Sequence, residues 1–394
     1  MKLTVVIVSY NVSHYLLQCL DSLGSALRGV DSEVIVVDNH SRDDSVALVR
    51  EFHPEVKVIE NIHNLGFSKA NNIALRQARG EYALLLNPDT IVADNTISDC
   101  LAFLDRHPDA GAAGVMMLNA DGTVAPESRR GVPTPMTSFY KLSGLCKLFP
   151  RSRRFGRYYL GHLSWQSPQQ IDIVSGAFCM LRRSVLQKVG LLDEDYFMYG
   201  EDIDLSYRIL KHGATNWYLP YHILHYKGES TQKSSFRYVH VFYQAMLIFF
   251  RKHFANLGIL VTVPIKIAIW CKAFVALVAM LTNRMRRSLG FVDRNDNYSN
   301  FTYVCIGSKQ MVDACDMICG KHGLRSALHV SSDPIYINKV ADTLSQQTIL
   351  VLDPQVFSFA TMLHTLHAIA SRGVLLGTYQ PSTVSIITNN EILR

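Results

Sequence analysis

Along the first third of the chain, apolar and polar positions follow a repeating order. A short β-branched or leucine-rich run gives way to a polar turn, and then to an apolar stripe at helical spacing. Leu3 to Val8, Val34 to Val37, Val56 to Ile59, Tyr82 to Leu86 and Ala112 to Leu118 are runs of strand length. Between them, about His14 to Leu27, Asp44 to Phe52, Ser68 to Ala78 and Thr96 to His107 carry apolar residues at helical intervals. Short apolar strands separated by helices predict an α/β fold with a mostly parallel sheet covered on both faces. Ligands of such sheets bind beyond the carboxyl ends of the strands. That rule places Ser9, Asn11, Asp38, Asn64, Asn87 and Asp89 along one rim.

The pattern changes after residue 118. Asn119 to Gly122 is a hairpin turn signal, followed by a basic, proline-containing stretch that gathers Arg151, Arg153, Arg154 and Arg157. Asp172 to Arg183 is expected as a strand, Glu201 to Lys211 as a helix ended by Gly213, and Ala214 to Leu219 and Ile223 to Tyr226 as two strands. His240 to Leu281 is strongly apolar, but its longest charge-free runs, Phe254 to Ile265 and Ala273 to Asn283, fall short of the ~20 residues a spanning helix needs. Arg251 and Lys252 precede it and Arg284, Arg286 and Arg287 follow it. Basic flanks on both sides favour helices lying in the membrane interface, or a hairpin returning to the same side, over a single span. Beyond a polar linker, Phe301 to Ile306, Ser326 to Val330, Thr348 to Leu352 and Val384 to Ile387 are expected strands and Met311 to Lys321 a helix. This second α/β unit has no phosphate-loop signature. The expected organisation is a first unit over 1–235, an apolar helical segment over 236–290 that associates with a membrane, and a small α/β unit over 298–394.

Composition adds constraints. With 48% hydrophobic and 18% charged residues in 394, the chain is globular. The net charge of +6 suits phosphates or an anionic membrane surface. No arginine-rich helix or aromatic-studded basic motif accompanies it, so a nucleic acid polymer is not an expected partner. The eight cysteines are scattered without a CxxC pair, which fits reduced thiols in a reducing compartment. MKLTVVIVSY has too short an apolar run for a signal peptide, and a cytoplasmic location is expected.

Four clusters stand where the sheet would place a site. IVSYN ends the first strand, and the absence of a glycine-rich turn there argues against a dinucleotide. VVDNHS ends the second, where the Asp38 carboxylate could accept the N3–H of a uracil or thymine ring. NIHNLGFSKANN supplies Gly66 for a tight backbone path and Lys69, Asn71 and Asn72 as donors, with Ser68 as the expected helix cap. LLLNPDT places Asp89 where it could hold Mg²⁺ or Mn²⁺ against a diphosphate leaving group. Taken singly, Asp and Asn at strand ends are ordinary turn or cap residues. Downstream, GEDIDLSYR offers Glu201, Asp202 and Asp204, which suit the dipole of a helix N-terminus and could equally supply a general base. HYKGES offers His225 as a further metal ligand, with Lys227 and Ser230 for a pyrophosphate.

In this order, VVIVSYN, EVIVVDNHS, NLGFSKANN, LLLNPDT, SGAFCMLRR, GEDIDLSYR and HYKGES resemble the family 2 glycosyltransferases with the GT-A fold, most closely the rhamnosyltransferase-like subgroup of bacterial polysaccharide assembly. The resemblance covers roughly residues 3 to 230. It implies a Rossmann-like sheet and an inverting, single-displacement transfer from a nucleoside diphosphate sugar such as dTDP-rhamnose or a UDP-sugar. A lipid-linked or growing glycan would be the acceptor, at the inner face of the cell membrane. It further implies that Asp202, with Glu201 beside it, is catalytic and that Asp89 and His225 face the metal. Ser9, Asn11, Asp38, Asn64, Gly66, Asn71, Asn87 and Gly176 would bind the nucleotide sugar. The wider fold's metal motif is Asp-x-Asp, and here Asn87 stands in its first place. A sugar nucleotidyltransferase would want a glycine- and arginine-rich first loop, which SYN is not. A non-catalytic membrane-docked scaffold would have no use for Asp38, Asp89 and Asp202 together.

Overall fold

A computed structural model describes residues 1–227, 236–255 and 300–394, with isolated positions between 263 and 286. The first unit runs β1 (Leu3–Ser9), α1 (Ser13–Ala26), β2 (Ser32–Asp38), α2 (Ser45–Phe52), β3 (Lys57–Glu60), α3 (Phe67–Leu75), β4 (Tyr82–Leu86), β5 (Thr90–Val92), α4 (Thr96–Arg106) and β6 (Ala110–Leu118). It continues with α5 (Pro135–Leu142), α6 (Leu145–Leu148), β7 (Gln169–Ile171), β8 (Phe178–Arg182), α7 (Arg183–Val189), α8 (Glu201–Lys211), β9 (Thr215–His225) and α9 (Phe236–His253). The sheet order is β3-β2-β1-β4-β8-β6-β9-β5, with β7 paired to β9. β3, β2, β1 and β4 are parallel, and β6 pairs parallel with β9. β8 runs against both its neighbours, and the short β5 and β7 run against β9. The mostly parallel α/β sheet is the GT-A arrangement.

Period-two burial explains the layering. Val6 and Val8 of β1 enter one core with Ala70 and Ala74 of α3, whereas Leu3, Val5 and Ile7 enter another with Leu16, Leu20 and Leu23 of α1. Every residue of β1 and β4 is buried, as a strand covered on both faces requires.

Three local expectations are corrected. Asp172 to Arg183 is not one strand: β7 stops at Ile171 and β8 begins at Phe178. The backbone between them finds partners away from a ladder. Val174 N–H donates to Ser206 Oγ at 3.1 Å and Gly176 N–H to Asp202 Oδ2 at 3.1 Å. Conversely, Ala214 to Tyr226 does not divide; β9 runs through, and a register shift opposite Val115 and Met116 absorbs Pro220, which has no N–H to give. Ser68 is not the cap of α3. Gly66 holds that place at φ 82°, and Ser68 lies inside the first turn with its Oγ buried. A Cβ on Gly66 would stand 2.5 Å from Phe197 O, an atom that accepts the Phe67 N–H at 2.6 Å.

The second sheet has the order β11-β10-β12-β13-β14-β15. Its elements are β10 (Thr302–Gly307), α10 (Lys309–Lys321), β11 (Arg325–Val330), α11 (Pro334–Ala341), β12 (Thr348–Leu352), α12 (Phe359–Ala368), β13 (Leu375–Gln380), β14 (Ser385–Ile387) and β15 (Ile392–Leu393). The sequence reading named neither α11 and α12 nor β13 and β15. This unit packs directly on the first: Tyr15 Oη donates to Thr388 O at 2.8 Å, Ala360 N–H to Asp94 Oδ2 at 2.9 Å and Leu376 N–H to Ala120 O at 2.9 Å.

Of the apolar stretch, α9 lays Ala245 and Phe249 against Val132, Ile173 and Tyr196 of the first unit. The runs expected over Phe254 to Ile265 and Ala273 to Asn283 fall largely outside the described residues, as do Gly228 and Ser230. Among the described residues, no helix is long and apolar enough to cross a membrane.

Candidate active site

The carboxyl ends of β1 and β4 open into a cavity of about 540 Å³, within the usual range for small-ligand sites. Asn87, Asp89, His225 and Lys227 line one part of it, Gly176, Glu201, Asp202 and Arg130 another, and Val8, Tyr10, Asn39 and Asn64 a third.

Asp89 owes its position to β5. Pro88 turns the chain out of β4, and β5 then pairs antiparallel with β9 so that Thr90 lies opposite His225. Tyr226 N–H donates to Asp89 O at 3.0 Å, which fixes the turn from the far strand. His225 Nε2 therefore stands 3.3 Å from Asp89 Oδ1 and 3.2 Å from Asn87 Nδ2. Burial would raise the Asp89 carboxyl, but the adjacent His225 imidazole and nearby backbone donors hold it below the usual carboxylate range. His225 Nδ1 is buried without a hydrogen-bond partner. Among the described residues there is no group of three or more His, Cys, Asp and Glu side chains that could hold a metal ion. Asp89 and His225 converge as a pair, with the Asn87 amide completing the corner.

Lys227 reaches Glu127 Oε1 at 2.7 Å and Asn119 Oδ1 at 2.6 Å. Its backbone is left-handed, φ 65°, as is that of Tyr199, φ 68°, and both residues line the cavity. Strained backbone at a cavity wall is a mark of functional geometry.

On the other side, Tyr199 and Gly200 (φ 92°) turn the chain sharply into α8, whose first turn carries Glu201, Asp202 and Asp204. The three carboxylates have different surroundings. Asp202 Oδ2 accepts from the Arg130 guanidinium and from Gly176 N–H at 3.1 Å, and Oδ1 from Ile203 N–H at 2.8 Å. Asp204 is turned away from the cavity and paired with Arg208 Nε at 2.7 Å and His253 Nε2 at 2.6 Å, tying α8 to α9. Glu201 is buried, and its Oε2 has no partner. Burial first, and the Asp202 charge second, push its carboxyl up to about 8.

Glu201 is thus held neutral in the fold at a pH where an unfolded glutamate is ionised. The folded state binds the extra proton between the unfolded value of about 4.3 and about 8, so stability falls as pH rises through that window. Glu201→Gln removes the titration. Its melting temperature should match the wild type near pH 5 and exceed it by a few degrees at pH 8.5, read by thermal unfolding at both pH values.

Not every expected residue reaches the cavity. Asn64, Asn87, Asp89, Gly176, Glu201, Asp202 and His225 line it; Ser9, Asn11, Asp38, Gly66 and Asn71 do not. Asp38 lies buried at the end of β2, its Oδ2 taken by Ser41 N–H at 2.9 Å and its Oδ1 without a partner. Ser9 Oγ is likewise buried and unpartnered. Asn11, in a left-handed conformation, accepts Arg42 N–H at 2.7 Å, and Asn71 is used inside α3 by donating to Phe67 O at 2.9 Å. Asn72 ties α3 to Leu192 O at 2.8 Å.

Among the cavity residues that the sequence does not single out, Asn39 and Arg130 make the most direct contacts with expected ones. Asn39 braces the 61–66 loop through Asn64 Oδ1 at 3.0 Å and Leu65 N–H at 2.9 Å. It sits inside the VVDNHS motif beside Asp38, which was the available signal. Arg130 has a weaker one, its place in an arginine pair. Its neighbour Arg129 is fully buried, stacked 3.4 Å from the Trp165 ring and donating to Leu163 O and Ser164 O.

The sequence profile described as Glycosyl transferase family 2 matches residues 4–190. The N-acetylglucosaminyl-diphospho-decaprenol L-rhamnosyltransferase of Mycobacterium tuberculosis is 30% identical over 260 residues, covering 63% of this chain and 83% of that protein. The chain belongs to glycosyltransferase family 2. Rhamnosyltransferase WbbL of Escherichia coli K12 is 26% identical over 259 residues, covering 60% of this family 2 glycosyltransferase and 91% of WbbL. The solved mannosyltransferase PcManGT from Pyrobaculum calidifontis, in complex with GDP-Man and Mn2+, aligns at 21% identity and a TM-score of 0.43, covering 71% of this chain and 75% of that one.

Proposed function

We propose that this glycosyltransferase works by inversion, moving a sugar from dTDP-rhamnose or a UDP-sugar to a hydroxyl of a lipid-linked or growing glycan acceptor. The setting is cell-surface polysaccharide synthesis at the cytoplasmic face of the membrane. The single observation that carries the reading is one cavity holding both the Asp202 carboxylate and the Asn87–Asp89–His225 corner. The mycobacterial relative, whose name specifies a lipid diphosphate acceptor, and the rhamnosyltransferase of Escherichia coli support the substrate class.

In this reading Asp202 takes the proton of the acceptor hydroxyl as its oxygen attacks the anomeric carbon, and the nucleoside diphosphate leaves from the opposite face. Glu201 lies buried beside Asp202, its carboxyl raised by burial and by the Asp202 charge, and is given no proton transfer in this scheme. Asp38 is kept as the acceptor for the pyrimidine N3–H because its Oδ1 has no partner, although it lies outside the cavity lining, behind its neighbour Asn39. Asp89 and His225 fit a hard divalent cation, since their facing donor atoms are 3.3 Å apart and one carboxylate plus substrate phosphates is a common ligand set. Bound there, Mg²⁺ or Mn²⁺ would neutralise charge on the departing diphosphate. Residues 1–235 together with α9 form the catalytic unit of this scheme, the remainder of 236–290 its membrane-associating segment, and 298–394 an α/β unit packed on the first through Tyr15, Asp94 and Ala120.

The test is a panel of dTDP- and UDP-sugars, each incubated with and without Mn²⁺ and with a lipid-linked glycan acceptor. Nucleoside diphosphate is released from at least one donor, with the sugar's anomeric configuration inverted in the product. Retention of configuration, or no turnover with any pyrimidine nucleotide sugar, overturns the reading.

A further inference from the structure

Between Ser128 and Ile171 the chain contains no Asp or Glu, yet it carries Arg129, Arg130, Lys141, Lys147, Arg151, Arg153, Arg154 and Arg157. The first two are used inside the protein. The others sit on or beside α5, α6 and the turns that follow, and Lys147, Arg151, Arg153, Arg154 and Arg157 are exposed. Among the described residues, none of these five pairs with a carboxylate.

The same segment exposes large apolar side chains. Met136 is 54% exposed, Phe139 56%, Leu148 69% and Phe149 47%. They are not isolated. Ring contacts run from Phe139 to Tyr140 (6.0 Å), from Tyr140 to Phe155 (5.0 Å) and from Phe155 to Phe149 (5.6 Å). The segment is also firmly built. Thr134 caps α5 by accepting Thr137 N–H at 3.2 Å, Pro135 opens the helix, and Thr137, Ser138, Tyr140 and Cys146 are buried beneath the exposed residues.

We propose that residues 136–157 form a docking lip for an anionic membrane surface. Exposed aromatic and aliphatic groups amid unpaired cations are the chemistry that lies in a bilayer interface, with apolar groups entering the acyl boundary and arginines meeting lipid phosphates. An acidic protein face would match the charge but gives no reason for Leu148 and Phe149 to stand out among arginines. The lip is continuous with the cavity, because Ser138, Lys141, Leu142, Tyr158 and Tyr159 of the same segment line it. Docking at the lip therefore brings the cavity mouth to the lipid surface. Val263, Ile267, Trp270, Phe274 and Leu281, all exposed, form a separate apolar series further along the chain. The lip acts whether or not that series also touches lipid, and independently of the reaction assigned above.

The full-length chain is sedimented with vesicles of phosphatidylcholine alone or containing one third phosphatidylglycerol, in low and high salt. It should bind the anionic vesicles at low salt and lose at least tenfold in partitioning when phosphatidylglycerol is omitted or salt is raised. Each basic residue near an anionic surface contributes roughly fivefold, so Arg151→Glu with Arg153→Glu should lower partitioning by more than about 25-fold. Phe139→Glu with Leu148→Glu should lower it tenfold or more, and Trp270→Glu with Phe274→Glu reports the other series. Unchanged melting temperatures show that the variants are folded. Failure of the wild type to bind anionic vesicles overturns the proposal, as does wild-type binding by folded lip variants. Equal binding to neutral and anionic vesicles overturns the electrostatic part and with it the assigned surface.

Discussion

Asp202→Asn lowers transfer by about two to four orders of magnitude and leaves donor affinity within a few-fold of wild type, the size expected for loss of a general base. The substitution keeps the shape of the side chain. An amide oxygen can still accept the Ile203 or Gly176 N–H, so the start of α8 keeps its geometry. What disappears is the negative charge that faces Arg130 and that, in the proposed scheme, would draw off the hydroxyl proton. The Asp202 and Arg130 side chains are 16% and 14% exposed, so the lost partner leaves a largely buried guanidinium uncompensated, and the variant should also melt at a lower temperature. Burial alone would weaken the protonated form of Arg130, but the Asp202 carboxylate outweighs it and holds the guanidinium firmly charged. The measurement is single-turnover transfer beside calorimetric donor binding. Near-normal transfer by a folded Asp202→Asn would remove Asp202 from the role of base, and loss of donor binding in step with rate would make it a donor-site residue instead.

Asp89→Ala reduces diphosphate release by about two orders of magnitude, and excess Mn²⁺ recovers little of it, because the corner has lost its carboxylate. The reverse substitution is more telling. Asn87 stands 3.2 Å from the same imidazole nitrogen that Asp89 faces, so Asn87→Asp adds a second carboxylate to the corner. The Mn²⁺ concentration for half-maximal turnover should fall tenfold or more in that variant. Chelator titrations of wild type, Asp89→Ala and Asn87→Asp decide the matter. Indifference of the wild type and Asn87→Asp to chelator would take the metal out of the mechanism and leave the charge of the diphosphate to cavity cations such as Lys227.

What the sequence disclosed and what it concealed divide along a physical line. β1 and β4 announce themselves because strands buried on both faces are apolar almost throughout, and β2 does so through its buried Ile35 to Val37. The residues just past them, Asp38, Asn87 and Asp89, follow from the rule that such sheets bind at their carboxyl edge. The pairing of Thr90 with His225 does not follow. β5 has three residues, and nothing local states that it runs beside a strand more than 130 positions later. Arg130 was hidden for the same reason, since its partner Asp202 lies 72 residues away. The contrast between Glu201, Asp202 and Asp204 was also out of reach. All three suit a helix N-terminus, and only the tertiary surroundings leave Glu201 Oε2 buried without a partner, pair Asp202 with Arg130 and tie Asp204 to Arg208 and His253. In the second unit, β13 and α12 carry glycine and histidines within their apolar runs, which blurs both periods.

Gly122 offered itself in the sequence as turn punctuation, but a Cβ there would stand 2.3 Å from Leu366 O of α12. The turn is left-handed, φ 76°, and the neighbouring Gly122 O faces His367 Nδ1 at 3.0 Å. A feature of the first unit is therefore shaped by the second, as a keyhole is shaped by its key. The C-terminal unit is not a cassette that recombination could exchange freely among catalytic domains of this type. A grafted replacement would meet a glycine turn cut for a different helix, and a catalytic unit cut away alone would leave Tyr15, Asp94 and Ala120 facing water instead of their partners.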